Sequence, residues 1–392
     1  MSSREPRVVT PAALRDWKLP EPGAGKEARG HLLVIGGTAS TPGAVALAGE
    51  AALRAGAGKL QIATPGPGAA ALAVSVPEAL VAVLPENARG SIDITAADQL
   101  ASYASGPDAL LIGSGFVDPE DSDGLLAAFA ADLDTPLVVD ALGSAFLTSH
   151  PEGLTHLGGR AVLTVNRKEL AITADHDRDE VDKDPLGAAS EVAERSQVVV
   201  LVGGTSKHVV TPDGRCWVIE GGGPGLGVSG SGDVQAGIVS GLLARGAEPA
   251  QAAVWGGYLH ARSGERLAGA VGVVGYLARE LPAQVPAEVT KAAEDLARQV
   301  AELTGLTGIV RVDFLYDGTD LYVNEVNSIP GAMALYLWPA EVSASGLLLD
   351  AVAEARRAPR SGQSADSDGA ALRSAGGIAG KLVGLEAARG RT

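Results

Sequence analysis

A glycine-rich stretch in the second half of the chain carries the residues best suited to chemistry. It spans residues 221–233, reads GGGPGLGVSGSGD, and leads directly into an apolar segment of helical pattern. Glycines let successive backbone N–H groups turn inward, and a helix start adds partial positive charge, so the stretch predicts an anion-binding loop. Asp233 would lie at that helix start, where a carboxylate can act as a base towards a bound hydroxyl group. The alternative is structural: Asp233 only caps the helix, and the glycines only form a loop.

The composition limits the class of protein. The 392 residues are 46% hydrophobic and 20% charged, which indicates a folded chain with a buried core. The net charge of −16 argues against nucleic acid or an anionic membrane as a partner, because both would be repelled. The single cysteine, Cys216, cannot form an internal disulfide, and residues 1–20 lack the apolar core of a signal peptide. We therefore expect a cytoplasmic protein whose partners are small molecules.

The elements that must position the glycine-rich stretch follow an alternating pattern. Short apolar runs alternate with helix-like segments, which predicts a layered α/β domain built on a parallel sheet. The expected strands cover residues 31–35, 59–63, 80–84, 109–112, 137–139, 161–165 and 197–202. The expected helices cover residues 43–57, 232–268 with a break at 246–249, and 274–281 before Pro282. Residues 208–219 predict a hairpin that turns at Pro212-Asp213-Gly214.

A second pattern begins after Pro286. The expected elements there are a helix at 287–303 and strands at 308–315 and 320–326. Residues 358–371 are rich in Ser, Gly, Ala and Asp, which is typical of a flexible linker. The predicted parts are an α/β domain at 1–285, a small α+β fragment at 286–357, and a low-complexity linker and tail at 358–392.

Several segments resemble ribokinase-like enzymes and, more closely, the ADP- or ATP-dependent NAD(P)H-hydrate dehydratases. The resemblance covers about residues 10–285, and the combination is more specific than any one motif. The matching segments are the opening strand at 31–37, the first long helix at 41–58, the substrate loop at 112–115, the glycine-rich stretch with its helix at 221–244, and the closing helix at 272–276. The resemblance implies a ribokinase-like α/β/α domain.

The same resemblance implies roles for individual residues. Those expected to contact the hydrated nicotinamide dinucleotide are Ala44, Gly115, Asn166 and Asp233, and Asp233 would be the catalytic residue. Those expected to contact the nucleotide are Gly203, Gly204, Thr205 and Ser206 in one turn, and Gly230 and Gly232 in the glycine-rich stretch. The implied reaction is dehydration of the (S)-hydrates of NADH and NADPH, in which ADP gives AMP and phosphate, or ATP gives ADP and phosphate.

The chemistry of the leaving group suggests how the nucleotide takes part. Hydroxide is a poor leaving group and phosphate is a good one, so we hypothesise that Asp233 helps the hydrate's hydroxyl group attack a nucleotide phosphorus. The ring nitrogen would then expel phosphate, and Mg²⁺ would offset charge on the nucleotide. The family also suggests a homo-oligomer, and a separate epimerase as a partner that converts the (R)-hydrate. The choice between ADP and ATP stays open.

Two positions depart from the family pattern. Asn166 stands where the family usually has a histidine, and Val202 stands where it usually has a lysine before the nucleotide-binding turn. Asn166 can form hydrogen bonds but cannot carry a proton as histidine does, and the loss of a cation should weaken phosphate binding. Lys207 lies five residues further on and could reach the nucleotide, although it could equally be a solvated lysine of the hairpin. His260 lies in a helical stretch, where a packed or exposed role is the usual one.

Residues 308–338 carry a second resemblance. Arg311-Val312-Asp313-Phe314 and the run from Tyr322 to Gly331 resemble the final strands of D-alanine–D-alanine ligases and other ATP-grasp enzymes. The resemblance implies Mg²⁺ ligands at Asp313, Glu325 and Asn327, and Arg311 facing the phosphates; such hard oxygen ligands suit a Mg²⁺–nucleotide complex. Residues 1–285 already account for another fold, so we expect a non-catalytic remnant here. The alternatives are a metal site, or a ligase completed by another chain.

Other functions share these features. A small-molecule kinase of the same fold would use Asp233 and the glycine-rich stretch, but it would consume ATP and release a stable phosphorylated product. A nucleotide-binding protein with a damaged site would bind adenine nucleotide without turnover. Ligation by the C-terminal segment would depend on Asp313 and Glu325.

Overall fold

The computed structural model describes residues 6–10, 13–14, 16–21, 23–285, 311–316 and 321–327. The chain forms two compact units, Met1–Glu294 and Asp295–Thr392. The predicted helix at 287–303 and the predicted linker at 358–371 lie outside the described residues. The division of the chain after residues 285 and 357 therefore stays a prediction.

The first unit is built on one ten-stranded sheet. Its strands are β1 (Arg7–Val8), β2 (His31–Ile35), β3 (Lys59–Pro65), β4 (Ala79–Leu84), β5 (Ala109–Ile112), β6 (Leu137–Asp140), β7 (Ala161–Val165), β8 (Val199–Val202), β9 (Ser206–Val210) and β10 (Cys216–Glu220). Their order across the sheet is β1-β10-β9-β8-β7-β6-β5-β2-β3-β4. Neighbouring strands are parallel except at β8–β9 and β9–β10. The predicted parallel sheet is confirmed; strand β1 was not predicted.

Helices cover both faces of this sheet. They are α1 (Pro42–Arg54), α2 (Gly66–Ser75), α3 (Ala97–Ala104), α4 (Pro119–Phe129), α5 (Ala145–Ser149), α6 (Arg167–Ala174), α7 (Arg178–Lys183), α8 (Pro185–Ser196), α9 (Ser231–Ala244) and α10 (Pro249–Ala270). In β2, Leu32 and Val34 join the core beneath α1, α9 and α10, whereas Leu33 and Ile35 join the core beneath α3, α4, α6 and α8. Successive strand residues point to opposite faces, so a strand covered on both sides is apolar throughout. The layered α/β/α prediction is confirmed.

Helices α1 and α9 approach each other unusually closely. Gly237 and Gly241 of α9 lie one helical turn apart and face the backbone of α1. A Cβ atom on Gly237 would lie 2.1 Å from the carbonyl oxygen of Ala48, and one on Gly241 would lie 2.5 Å from that of Ala52. Because real Cβ contacts are never so short, glycine at both positions is what permits this spacing.

The hairpin and the helix break were predicted correctly. Strands β9 and β10 pair in antiparallel fashion, and the Thr211 N–H donates to the carbonyl of Arg215 at 3.0 Å across the turn at 212–214. The helical stretch at 232–268 divides into α9 and α10 where Gly246 adopts a φ of 89°.

The predicted helix at 274–281 is wrong. Gly272 and Gly275 have φ values of 146° and 106°, which interrupt any regular helix. Two short 3₁₀ turns, Ala278–Glu280 and Pro282–Gln284, follow instead. The apolar composition of this segment is typical of a helix. Hydrophobicity, however, does not report the backbone conformation of its glycines.

In the second unit, strands β11 (Arg311–Tyr316) and β12 (Leu321–Asn327) form an antiparallel pair. Both match predicted strands. The register places Asp313 opposite Glu325 and Arg311 opposite Asn327 along the backbone. Across the described part of the chain, no helix has the length and hydropathy needed to cross a membrane.

Candidate active site

The candidate site lies where β2, β5, β6 and β7 end at their carboxyl termini, the edge at which parallel α/β sheets bind ligands. Three hydrogen bonds hold the strand ends together. The Gly37 N–H donates to the carbonyl of Ser114 at 2.8 Å, and the Ser114 hydroxyl donates to Asp140 Oδ2 at 2.8 Å. The Thr164 hydroxyl donates to Asp140 Oδ1 at 2.8 Å. The last residue of β6 is therefore joined to the loops and strands on either side.

Asp233 enters this site from the first turn of α9. The helix starts at Ser231 after Gly230, which has a φ of 89° and no side chain, so Asp233 is not the residue that caps it. Burial, with a smaller contribution from the negative charge of Glu169, raises the pKa of Asp233 to about 6, although the hydroxyl of Ser114 opposes the shift. Asp233 is thus an ionised carboxylate near neutral pH, with a proton affinity suited to a general base.

Asp140 is a second acid in the same site, and it was not predicted from the sequence. Its side chain is buried. Burial first, and then the negative charge of Asp233, raise the pKa of Asp140 to about 8, although the hydroxyls of Thr164 and Ser114 oppose this. Asp140 therefore keeps its proton to higher pH than Asp233 does. Two neighbouring carboxyl groups with separated pKa values can act as an acid and a base.

Two predicted substrate residues come together beside these acids. Gly115 has a φ of 77°, and a Cβ atom there would lie 2.8 Å from the Cβ of Ala44 at the start of α1. The Thr41 hydroxyl holds this approach by donating to the carbonyl of Gly115 at 2.6 Å. Since Gly115 follows Ser114 directly, Ala44, Gly115 and the two acids line one site.

Asn166 is placed differently from the expectation of a free hydrogen-bonding group. Its side-chain oxygen caps α6 by accepting the N–H groups of Lys168 at 2.9 Å and Glu169 at 3.0 Å. Glu169 completes a capping box by accepting the N–H of Asn166 at 2.9 Å. The side-chain NH₂ group of Asn166 remains as its donor to a ligand, and burial raises the pKa of the Glu169 carboxyl beside it.

The nucleotide turn, residues 203–206, connects β8 to β9 and has Gly204 and Thr205 exposed at its centre. Val202 before it is buried with no exposed surface. Arg167 on α6 lies beside this turn: a Cβ atom on Gly204 would lie 3.2 Å from its Nε, which is buried and has no hydrogen-bond partner among the described residues. Its Nη1 lies 3.4 Å from Asp182. Arg167 was not predicted from the sequence, because it lies 36 positions before the turn and comes close to it only in the folded chain.

Lys207 is not a solvated lysine of the hairpin. Its side chain is only 3% exposed, and its Nζ donates to Gln235 Oε1 at 2.6 Å on α9 and lies 2.9 Å from His260 Nδ1 on α10. His260 Nε2 lies 2.9 Å from the Ser231 hydroxyl. The ammonium group therefore lies behind the glycine-rich stretch and not at the nucleotide turn. The alternation of Lys207 with buried Val209 along β9 was the signal for this orientation.

A cavity of about 420 Å³ lies elsewhere, lined in part by residues 211–213, 215 and 248–250. The ionisable groups there include Asp213 and Arg215, which form an ion pair at 2.9 Å with both side chains partly exposed. The paired acids with raised pKa values lie at the carboxyl edge instead, and perturbed acids indicate an active site better than cavity size does.

Comparisons with known proteins identify the family of the first unit. The family model described as NAD(P)H-hydrate dehydratase matches residues 32–287. The ADP-dependent (S)-NAD(P)H-hydrate dehydratase of Xanthomonas campestris is 44% identical over 286 residues, covering 73% of this chain and 97% of that protein. A bifunctional NAD(P)H-hydrate repair enzyme of Moorella thermoacetica is 34% identical over 269 residues, and this chain spans 50% of its length.

Solved structures share the fold. The ADP/ATP-dependent NAD(P)H-hydrate dehydratase of Bacillus subtilis, crystallised with ATP and Mg²⁺, aligns with a TM-score of 0.61 at 24% identity, covering 73% of this chain and 99% of that one. A ribokinase-like superfamily protein of Enterococcus faecalis aligns with a TM-score of 0.61 at 22% identity, covering 73% and 95%. A second family model, described as the C-terminus of D-Ala D-Ala ligase, matches residues 276–354.

Proposed function

Because the chain belongs to the NAD(P)H-hydrate dehydratase family, we propose that it removes water from the (S)-hydrates of NADH and NADPH at the expense of ADP or ATP. The observation that carries this proposal is the pair of acids, Asp140 and Asp233, beside Ala44 and Gly115. The Xanthomonas relative, which this chain covers almost entirely, carries the same activity in its name.

The proposed reaction has two stages. Asp233 accepts the proton of the hydrate's hydroxyl group while that oxygen bonds to the terminal phosphorus of the nucleotide, and the P–O bond to the leaving AMP or ADP breaks. The ring nitrogen then donates its electron pair as the carbon–oxygen bond breaks, which releases phosphate. Loss of a proton from the neighbouring ring carbon restores the dihydropyridine. Asp140 contributes a neutral neighbour that does not repel the incoming phosphate.

The two halves of the site divide the ligands between them. The hydrate would lie against Ala44, Gly115 and the NH₂ group of Asn166. The nucleotide would contact Gly203, Gly204, Thr205 and Ser206 at the turn, and Gly230 and Gly232 at the glycine-rich stretch. Arg167 would supply the cation that Val202 does not, because its Nε lies beside Gly204 and forms no hydrogen bond within the part of the chain that the structure describes.

The residues present also fit Mg²⁺ brought in by the nucleotide. No cluster of three or more His, Cys, Asp or Glu side chains suited to a metal occurs within the described residues. Mg²⁺ in nucleotide sites is commonly held by phosphates and one or two carboxylates. Glu169, whose negative charge acts on both Asp140 and Asp233, is the carboxylate that would hold it. Bound there, the ion would offset charge on the phosphates.

Three wider expectations stay predictions: a cytoplasmic location, a homo-oligomer, and conversion of the (R)-hydrate by a separate epimerase. The chain spans about half the length of its bifunctional relatives. For the C-terminal segment, Mg²⁺ binding by Asp313, Glu325 and Asn327 also stays a prediction, as does its role as a non-catalytic remnant. The match at residues 276–354 supports only the likeness to a ligase C-terminus.

The test is absorbance at 340 nm with hydrated NADH, Mg²⁺ and either ADP or ATP. Recovery of absorbance that needs a nucleotide, and is lost in Asp233→Ala, supports the proposal and identifies the phosphate donor. The control is Asp213→Ala, since Asp213 lies in the β9–β10 turn away from the acid pair. No recovery from folded wild-type protein would rule the proposal out, and a stable phosphorylated product would favour a kinase.

A further inference from the structure

Lys207 is a buried cation that lacks an acidic partner. Within the described ranges it forms no ion pair, and its polar neighbours are an amide and an imidazole. Burial alone lowers its pKa to about 7. A buried ammonium without a carboxylate costs stability, so a lysine at this position calls for a compensating role.

The hydrogen bonds around Lys207 run in one direction. In its protonated form Lys207 has no lone pair, so it donates to His260 Nδ1 as well as to Gln235. Burial, and then the positive charge of Lys207, lower the pKa of His260 well below its ordinary value, so its ring is neutral. A neutral ring that accepts at Nδ1 carries its proton at Nε2, which therefore donates to the Ser231 hydroxyl.

This chain of hydrogen bonds ends at the start of α9. Ser231 is the first residue of the helix and is 4% exposed, whereas Gly230 and Gly232 on either side are accessible. Three buried side chains thus connect β9 and α10 to the peptide groups of the loop. By accepting a hydrogen bond from His260, the Ser231 side chain ties the start of α9, with its free N–H groups, to α10.

We propose that Lys207 is a positioning residue which, through His260 and Ser231, fixes the start of α9 and balances the charge of a nucleotide phosphate bound there. Lys207 does not touch the nucleotide. Its uncompensated charge and the charge of the phosphate stabilise each other across two hydrogen-bonded side chains, which explains how the buried cation is tolerated. The inference rests on the proposed function only in taking a nucleotide phosphate as the anion.

The first experiment measures the KM for the nucleotide, kcat, and calorimetric binding of ADP in Lys207→Met. We expect the KM and the dissociation constant to rise about tenfold, with kcat changed less than threefold, because the positive charge that balances the phosphate is lost. Lys59→Met is the matched control: Lys59 pairs with Glu27 at the start of β3, and its loss should leave nucleotide binding unchanged.

A second variant separates positioning from a general loss of stability. Ser231→Ala removes the end of the chain of hydrogen bonds, so adding Lys207→Met to it should weaken ADP binding by much less than tenfold. Equal effects of Lys207→Met in both backgrounds, or unchanged ADP binding in folded Lys207→Met, would overturn the inference. Wild-type protein that binds ADP but does not dehydrate the hydrate would contradict the proposed function instead, and leave the binding test valid.

Discussion

The nucleotide turn at 203–206 and the start of α9 at 230–233 are both proposed to bind nucleotide phosphates, yet they are built in opposite ways. The turn is exposed, and its cation is Arg167, whose charge is shared with Asp182 at the surface. The start of α9 is backed by Lys207, which is buried and has only neutral partners among the described residues. A cation near the surface costs little folding stability, and salt weakens its attraction for an anion. A buried cation costs more stability, but salt weakens its attraction for an anion much less.

The largest expected effect concerns the two acids beside α9 and appears as pH dependence. Asp233 must be ionised to accept a proton, and its pKa is raised to about 6, so kcat/KM should fall about tenfold per pH unit below 6. Ionisation of Asp140 near pH 8 adds a second negative charge against the phosphate, so kcat/KM should also fall above 8. In Asp140→Asn, kcat/KM should still fall below about pH 6 but should no longer fall above about pH 8. An unchanged alkaline limb in that variant would show that another group titrates there.

A smaller effect is expected at the turn. Arg167→Met should raise the KM for the nucleotide about tenfold and leave kcat nearly unchanged, because the guanidinium would bind the ground state and the transition state equally. Arg178 offers a matched control, since it lies 3.5 Å from the same Asp182, and Arg178→Met should have no effect on KM. Steady-state kinetics of both variants check this. Equal KM changes would mean that Asp182, and not a contact with the nucleotide, is what matters.

The smallest effect separates the two cations by salt. Between about 50 mM and 500 mM salt the Debye length shortens from above about 10 Å to below about 5 Å. The ratio of the nucleotide KM of Arg167→Met to that of wild type should therefore shrink about two- to threefold. The same KM ratio for Lys207→Met should stay constant, because the Lys207 side chain is buried. If both ratios shrink alike, the two regions do not differ in the way described.

The fold was predictable because its signals are local. Alternating apolar runs and helical segments lie in sequence order, and the helix break at Gly246 and the hairpin turn at 212–214 have the residues that such turns require. The helix predicted at 274–281 failed where two glycines adopt positive φ values. Hydrophobicity cannot report a backbone conformation that glycine permits but does not require.

The site was predictable only in part, because only some of its signals are local in the sequence. Asp233 could be identified because a glycine-rich loop entering a helix is a contiguous motif. Asp140 acquires its raised pKa from burial and then from Asp233, which is 93 positions away, so nothing near it in the sequence marks it. Lys207 was considered for the nucleotide turn because it is close in sequence, whereas its direction was set by its place in the alternation of β9.

The two glycines that bring α9 against α1 also limit how the protein can move. The contact is made by main-chain atoms, so neither helix can slide by exchanging one side-chain rotamer for another. Ala44, proposed to lie against the hydrate, is on α1, and Asp233, the proposed base, is on α9, so the close contact between the helices limits changes in the distance between them. Entry of the substrate and release of the product would then depend on other segments of the chain.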